Sequence, residues 1–271
     1  VAVTNGRELA VLAESETADG MFTGWFAGDA LLEWTRGAFP SLRPGREVGR
    51  GQRSFFISAG SALLEVTGPW ISPLVTRVDS EGLLLATEAA RAAGTISWPV
   101  SPDDCLFPVE LDGVGTEELV FKNRDKLGVA SWSGDVPQLL WASEGRLGSM
   151  WPLSSSDRIY HGKFKPGGGE ELVLSSGHSW VTVEWDALTS SPRVHGINIG
   201  YVKDDSIEWE LSMEQVLFAG TFLPGRPDLI LAQGVSSLLL AQLGSEEGDE
   251  GLVFQPVLRV DDQVGQWVLG S

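Results

Sequence analysis

The chain has 271 residues, 42% apolar and 21% charged, with a net charge of −18 at neutral pH and one cysteine, Cys105. That apolar share is enough for a buried core, and a single cysteine excludes an intrachain disulfide framework. The negative field opposes a nucleic-acid backbone, and no run of Lys and Arg counters it, so no nucleic-acid partner is expected.

In chain order, the first predicted element is a hairpin: Val1-Ala2-Val3-Thr4, a turn at Asn5-Gly6, then Leu9 to Leu12. A second follows, with Phe55-Phe56-Ile57, a turn at Ala59-Gly60, then Ala62 to Val66. Leu83 to Ala93 is the longest stretch free of turn residues, and reads either as a helical insertion or as an irregular strand plus loop. The third hairpin joins Leu119-Val120-Phe121 to Leu127–Trp132 through Asn123-Arg124-Asp125. That turn lacks glycine, but its Asn and Asp tolerate a left-handed backbone. The fourth runs from Leu172-Val173-Leu174 through Ser176-Gly177 to Trp180–Trp185, and the fifth from Leu229-Ile230-Leu231 through Gln233-Gly234 to Leu238–Leu243. Each is a run, a small turn and a second run, which is how a β-hairpin reads.

A second marker keeps the same period. Trp34, Trp98, Trp151, Trp209 and Trp267 each fall near the end of a candidate strand, and four of the intervals from Trp to the next turn are 26, 26, 26 and 25 residues. Three share a signature: Trp98-Pro99-Val100-Ser101, Trp151-Pro152-Leu153-Ser154 and Trp209-Glu210-Leu211-Ser212. Between Trp and turn lies one more strand, as in Leu106-Phe107-Pro108-Val109, Ile159-Tyr160-His161-Gly162 and Leu217-Phe218-Ala219-Gly220. Self-similarity at this period, with about four short strands per unit, is the pattern of propeller blades. The expected fold is all-β: a β-propeller of about five four-stranded blades in one domain or fragment spanning 1–271, with repeats near 1–37, 38–101, 102–154, 155–212 and 213–271. The interval rule also places a Trp about 20 residues before Val1 and a strand and hairpin after Trp267. The expectation is therefore a piece of a longer protein, with further segments completing a blade or enlarging the ring.

At the strand, loop and strand of each unit the chain resembles FG-GAP and VCBS-type repeats, the blades of integrin α-chain propellers. The resemblance rests on Phe218-Ala219-Gly220-Thr221-Phe222, Tyr160-His161-Gly162-Lys163-Phe164 and the run from Glu110 to Leu119, and spans nearly the whole chain in degenerate copies. Such repeats often carry a calcium loop. Glu110, Asp112 and Glu118 fall on its first, third and ninth positions, but Val114 takes the fifth. Lys163 and Lys165 replace anions in the next unit. Calcium needs six to eight oxygen ligands, so this loop reads as vestigial and neither metal nor cofactor is expected.

Other chemistry finds little support. The three histidines, His161, His178 and His195, lack a nucleophile elbow, and Gly167-Gly168-Gly169 precedes a strand rather than a helix. The acidic run Ser245 to Glu250 reads as a solvated loop. The five periodic Trp read as anchors between sheets, and Trp25, Trp70, Trp141 and Trp180, outside that register, as the candidates for exposed contacts. The expected function is a non-enzymatic scaffold for a protein partner or larger complex. The alternatives are a lectin-like glycan-binding propeller and a five-bladed glycoside hydrolase with converging carboxylates. The resemblance implies docking on the face made by second-to-third-strand hairpins and blade connections. Here those carry Arg7, Arg124, Asp125, Lys126 and His178, with Asp103, Asp104 and Asp157.

Overall fold

The computed structural model describes residues 2–4, 9–14, 22–27, 41–48, 53–59, 61–68, 74–165, 167–176, 179–199, 201–203, 208–210, 216–222, 227–233, 237–245 and 252–261. Side chains are described mainly between 43 and 242. The described residues are all-β apart from one short helix.

Among the described residues, five antiparallel sheets of three or four strands follow one another along the sequence, each a simple meander. The first has three strands, β1 (Ala2–Thr4), β2 (Leu9–Glu14) and β3 (Phe22–Ala27). The second has four, β4 (Ser41–Glu47), β5 (Arg53–Ala59), β6 (Ala62–Thr67) and β7 (Leu74–Arg77). After it come a two-stranded ribbon, β8 (Leu83–Leu85) with β9 (Ser97–Pro99), and between these strands the helix α1 (Glu88–Ala92). The third sheet comprises β10 (Cys105–Val109), β11 (Glu118–Asn123), β12 (Lys126–Ser133) and β13 (Val136–Glu144), followed by the ribbon β14 (Arg146–Leu147) and β15 (Trp151–Pro152). The fourth comprises β16 (Arg158–Gly162), β17 (Glu171–Ser176), β18 (Ser179–Asp186) and β19 (Ser191–Ile199), followed by the ribbon β20 (Tyr201–Lys203) and β21 (Glu208–Glu210). The last holds β22 (Val216–Gly220), β23 (Leu229–Gln233), β24 (Ser237–Ser245) and β25 (Leu252–Asp261).

All five expected hairpins form, as β1–β2, β5–β6, β11–β12, β17–β18 and β23–β24. Four of their turns, at Asn5-Gly6, Gly60, Gly177 and Gly234, lie wholly or partly outside the described residues. In the remaining one Asn123 pairs with Lys126, so the loop is Arg124-Asp125, and Arg124 rather than Asn or Asp takes the left-handed backbone at φ 50°. The segment from Leu83 satisfies both readings in part: a strand first, then a helix. Thr87 stops the strand by capping the helix, its Oγ1 accepting from Ala90 N while Glu88 sits in the acid-favouring first turn.

The chain divides into two compact units, Val1–Pro108 with Glu117–Ser143, and Val109–Thr116 with Glu144–Ser271. Among the described side chains, second and third strands bury consecutive residues, and so both of their faces. Leu119, Val120 and Phe121 of β11 are all fully buried, and so are Val173 and Leu174 of β17. The core of the first unit gathers Phe56 and Leu63, Leu84 and Trp98 of the ribbon, and Leu106, Leu119, Phe121, Ala130 and Leu139. The core of the second gathers Phe164, Val173 and Trp180 with Leu217, Ile230, Ala232, Leu239 and Ala241. In each unit, consecutive sheets thus share one apolar layer.

One polar joint recurs between consecutive sheets. The residue that enters a second strand reaches back to the end of the previous sheet's first strand. Glu117 Oε2 accepts from Glu47 N at 2.8 Å in the first unit. In the second unit Glu170 N donates to Glu110 O, and Asp228 N donates to Lys163 O at 2.8 Å while its Oδ2 accepts from Lys163 N at 2.8 Å. Beside the Glu110 joint, a Cβ on Gly169 would lie 2.1 Å from the Leu111 carbonyl oxygen, so only glycine lets the strands close. Gly169→Ala is expected to cost about 1–3 kcal/mol of stability by overpacking, measured by urea denaturation.

Candidate functional site

The candidate surface is built on a clamp that appears twice among the described residues. In the first unit the indole Nε1 of Trp98 donates to Asp104 Oδ2 at 3.2 Å, and Ser101 N donates to the same oxygen at 2.9 Å. Asp104 N returns a bond to Ser101 O, and Asp103 N donates to Ser101 Oγ. In the second unit Trp151 Nε1 and Ser154 N donate to Asp157 Oδ2 at 3.4 and 2.8 Å, Asp157 N donates to Ser154 O, and Ser156 N donates to Ser154 Oγ. Four bonds match, one for one, across Trp-Pro-x-Ser-x-x-Asp. The tryptophan hangs from a ribbon strand into the core while the aspartate folds the following connection into a tight loop.

The clamp also fixes where that connection sits. Asp104 Oδ1 accepts from Asn123 Nδ2 at 2.7 Å, which ties loop 101–104 to the tip of the β11–β12 hairpin. Lys122, buried in β11, donates through Nζ to the Arg124 carbonyl and braces the same tip from below. In the next repeat Ser176 stands where Asn123 stands. Its hydroxyl meets that of Ser156, and Asp157 Oδ1 is buried without a hydrogen-bond partner. Ser176→Asn should supply the missing donor and stabilise the protein by about 1 kcal/mol, read as a rise in the midpoint of chemical denaturation.

Loop 101–104 and the hairpin tip therefore bring most of the expected surface residues of the first unit together. Asp103 and Arg124 are exposed there, and Asp125 and Lys126 half-buried beside them. Asp104 corrects the sequence expectation. Its side chain is 0% exposed and committed to Trp98, Ser101 and Asn123, so it holds the surface in place instead of presenting itself. Burial pushes its carboxyl above the ordinary range, against the lowering effect of those three hydrogen bonds. Asp157 likewise serves the second clamp. Arg7 and His178 lie outside the described residues.

Among the other candidates, Glu110 Oε2 receives the Lys163 ammonium, which that bond raises above the usual lysine range. Asp112 Oδ1 accepts from Val114 N, and Glu118 is buried at the start of β11. Among the described residues no three His, Cys, Asp or Glu side chains converge as a metal set. His161 Nδ1 meets Glu170 Oε2 at 2.7 Å. His195 Nε2 meets Glu184 Oε2 at 2.8 Å, and Lys165 holds the other oxygen of Glu184. Partial burial pushes the Glu184 carboxyl up, but Lys165 and His195 outweigh it and hold it below the ordinary value.

The tryptophans divide differently from expectation. Trp98 and Trp151 are buried anchors, whereas Trp34 and Trp267, and the side chain of Trp209, lie outside the described residues. Trp180, expected among exposed contacts, is buried in the second core, because a third strand is covered on both faces. Trp141 is half-buried in β13, and the rings of Trp25 and Trp70 are not among the described residues. Comparison with protein-family models and with curated proteins gives no match to the chain.

Proposed function

We propose that the chain is a β-propeller whose successive sheets are blades, degenerate relatives of FG-GAP and VCBS repeats, and that it acts as a non-enzymatic scaffold for a protein partner. The observation that carries the reading is the division of labour around the clamp. Trp, Ser and Asp keep the same bonds in both repeats, while the residues they hold at the surface change, with exposed Asp103 in one clamp loop standing where exposed Ser156 stands in the other. A constant frame under variable, polar, turn-borne residues is how a repeated scaffold carries a specific surface. The polar joint between consecutive sheets supports radial order, since equal steps between neighbours are what a ring of blades requires.

The buried rings of Trp98 and Trp151 have no free face for stacking on a sugar, which favours a protein partner over a glycan. Reversing charge with Arg124→Glu and Lys126→Glu should reduce binding of the partner by about tenfold or more and leave thermal stability within about 0.5 kcal/mol of wild type. The check is affinity capture by immobilised wild-type and variant protein, with mass spectrometry of the bound fraction. A partner retained equally by both would exclude this surface.

A further inference from the structure

We propose that the outward face of the β8–β9 ribbon docks a polypeptide segment bearing aliphatic side chains flanked by lysine or arginine. The inference deepens the scaffold reading and rests on it, but concerns a different surface from the hairpin tip.

The ribbon alternates as a strand pair should. Leu84 and Trp98, paired in register, point into the core at 1% and 3% exposure. The opposite face carries Leu83 at 40% and Leu85 at 55%, with the exposed Pro99 across from Leu83 and half-buried Ser97 across from Leu85; Ile96, just before β9, is 81% exposed. A two-stranded ribbon at the surface ordinarily puts polar residues there, so apolar groups on both faces call for a cause.

The other ribbons act as internal controls. Leu147 and Trp151 pair as Leu84 and Trp98 do, and the flanking pair there is Arg146 with Pro152. Val202 and Trp209 pair in the same way, flanked in register by Tyr201 with Glu210 and by Lys203 with Glu208. Each puts a charged residue where this ribbon has leucine, so the frame does not demand the leucines. The elaborated connection singles out the same ribbon: 11 residues including α1 separate β8 from β9, against 3 and 4 in the other two.

The occupant lies on the face and not along an edge. Pro99 has no N–H to give, Val100 N is bonded to Gly82 O, and Thr87 N is bonded to Leu139 O. Charge sets the partner's flanks. Exposed Glu81 and Glu88 bracket β8, and Arg91 is the single base from residue 80 to 100. Asp79 is already neutralised by Arg77 at 2.8 Å. With a net charge of −18 behind it, this apolar face with acidic ends suits an apolar segment with basic ends.

The test uses the full chain and two synthetic peptides of identical pattern, one alternating leucine with lysine and one leucine with glutamate, followed by fluorescence anisotropy. The lysine peptide should bind wild type with an affinity that falls as salt is raised, and the glutamate peptide at least about tenfold more weakly. Leu83→Ser with Leu85→Ser should weaken the lysine peptide by about tenfold or more, and Leu85→Thr alone, which keeps a strand-favouring residue, by a smaller factor. The Arg124→Glu, Lys126→Glu protein should bind the peptide as wild type does. Equal binding by a folded ribbon variant, or equal binding of both peptides, would overturn the inference while leaving the hairpin-tip surface untouched. So would sedimentation showing that the wild type self-associates through this face and that the leucine substitutions disperse it.

Discussion

Trp98→Ala should lower the unfolding free energy by about 3–5 kcal/mol, the range for truncating a large buried aromatic. The ring is 3% exposed, lies 5.8 Å from the Phe121 ring between centroids, and rests against Gly128, where an added Cβ would be 3.0 Å from two of its carbons. Gly128 is in β12, so the ring is fitted into a slot that the third sheet provides by omitting a side chain. Removing it opens a cavity between the ribbon and that sheet and leaves Asp104 without one of its donors. Trp98→Phe should cost less, since it keeps a six-membered ring in the slot and loses the indole N–H and the smaller ring. Chemical denaturation of the three proteins orders them: wild type, then Phe, then Ala.

Asp104→Ala is expected to cost about as much, roughly 3–5 kcal/mol, for a different reason. It strands three donors, Trp98 Nε1, Ser101 N and Asn123 Nδ2, in a place that water does not reach. Asp157→Ala should cost less, since Asp157 is half-buried and its second oxygen is already unpartnered.

The pH response of Asp104 has a definite sign. Its folded-state pKa is raised by burial, so the folded protein holds this proton more tightly than the unfolded chain does. The associated stability is fully present below the ordinary carboxyl value, near pH 4, and is lost as pH rises through the raised folded value. Asp104→Asn cannot titrate, and its amide oxygen keeps the bonds from Trp98 and Ser101. Denaturation midpoints of wild type relative to this variant should therefore fall as pH rises from about 4. The comparison cancels Glu171, whose carboxyl is also raised by burial and would otherwise add a slope of the same sign.

Much of this architecture was legible in the sequence, and the parts that were not have physical reasons. The five hairpins announced themselves through apolar runs bounded by turns, and where side chains are described these strands bury both faces, as Leu119 to Phe121 do. The ribbons did not. Strands of two or three residues, such as Arg146–Leu147 and Ser97–Pro99, are too short to show a period, so each Trp was legible while its partner strand was not. The buried role of Asp104 was hidden by the usual rule that acids face water. Its signal was nevertheless available: the shared Trp-Pro-x-Ser extends by three more residues to an aspartate in both repeats. Arg124 shows the limit of turn propensities. A buried lysine that takes its carbonyl braces a backbone conformation that Asn or Gly would otherwise be expected to supply.

In the proposed propeller, successive sheets are equivalent blades, each pinned by one tryptophan. This equivalence is tested most directly by an experimental structure of the intact protein in which the five sheets are superposed one on another. Trp34, Trp98, Trp151, Trp209 and Trp267 should fall on one position, with the sheets in radial order about a common axis. Any two of these rings in unrelated environments, or sheets stacked without a shared axis, would contradict it.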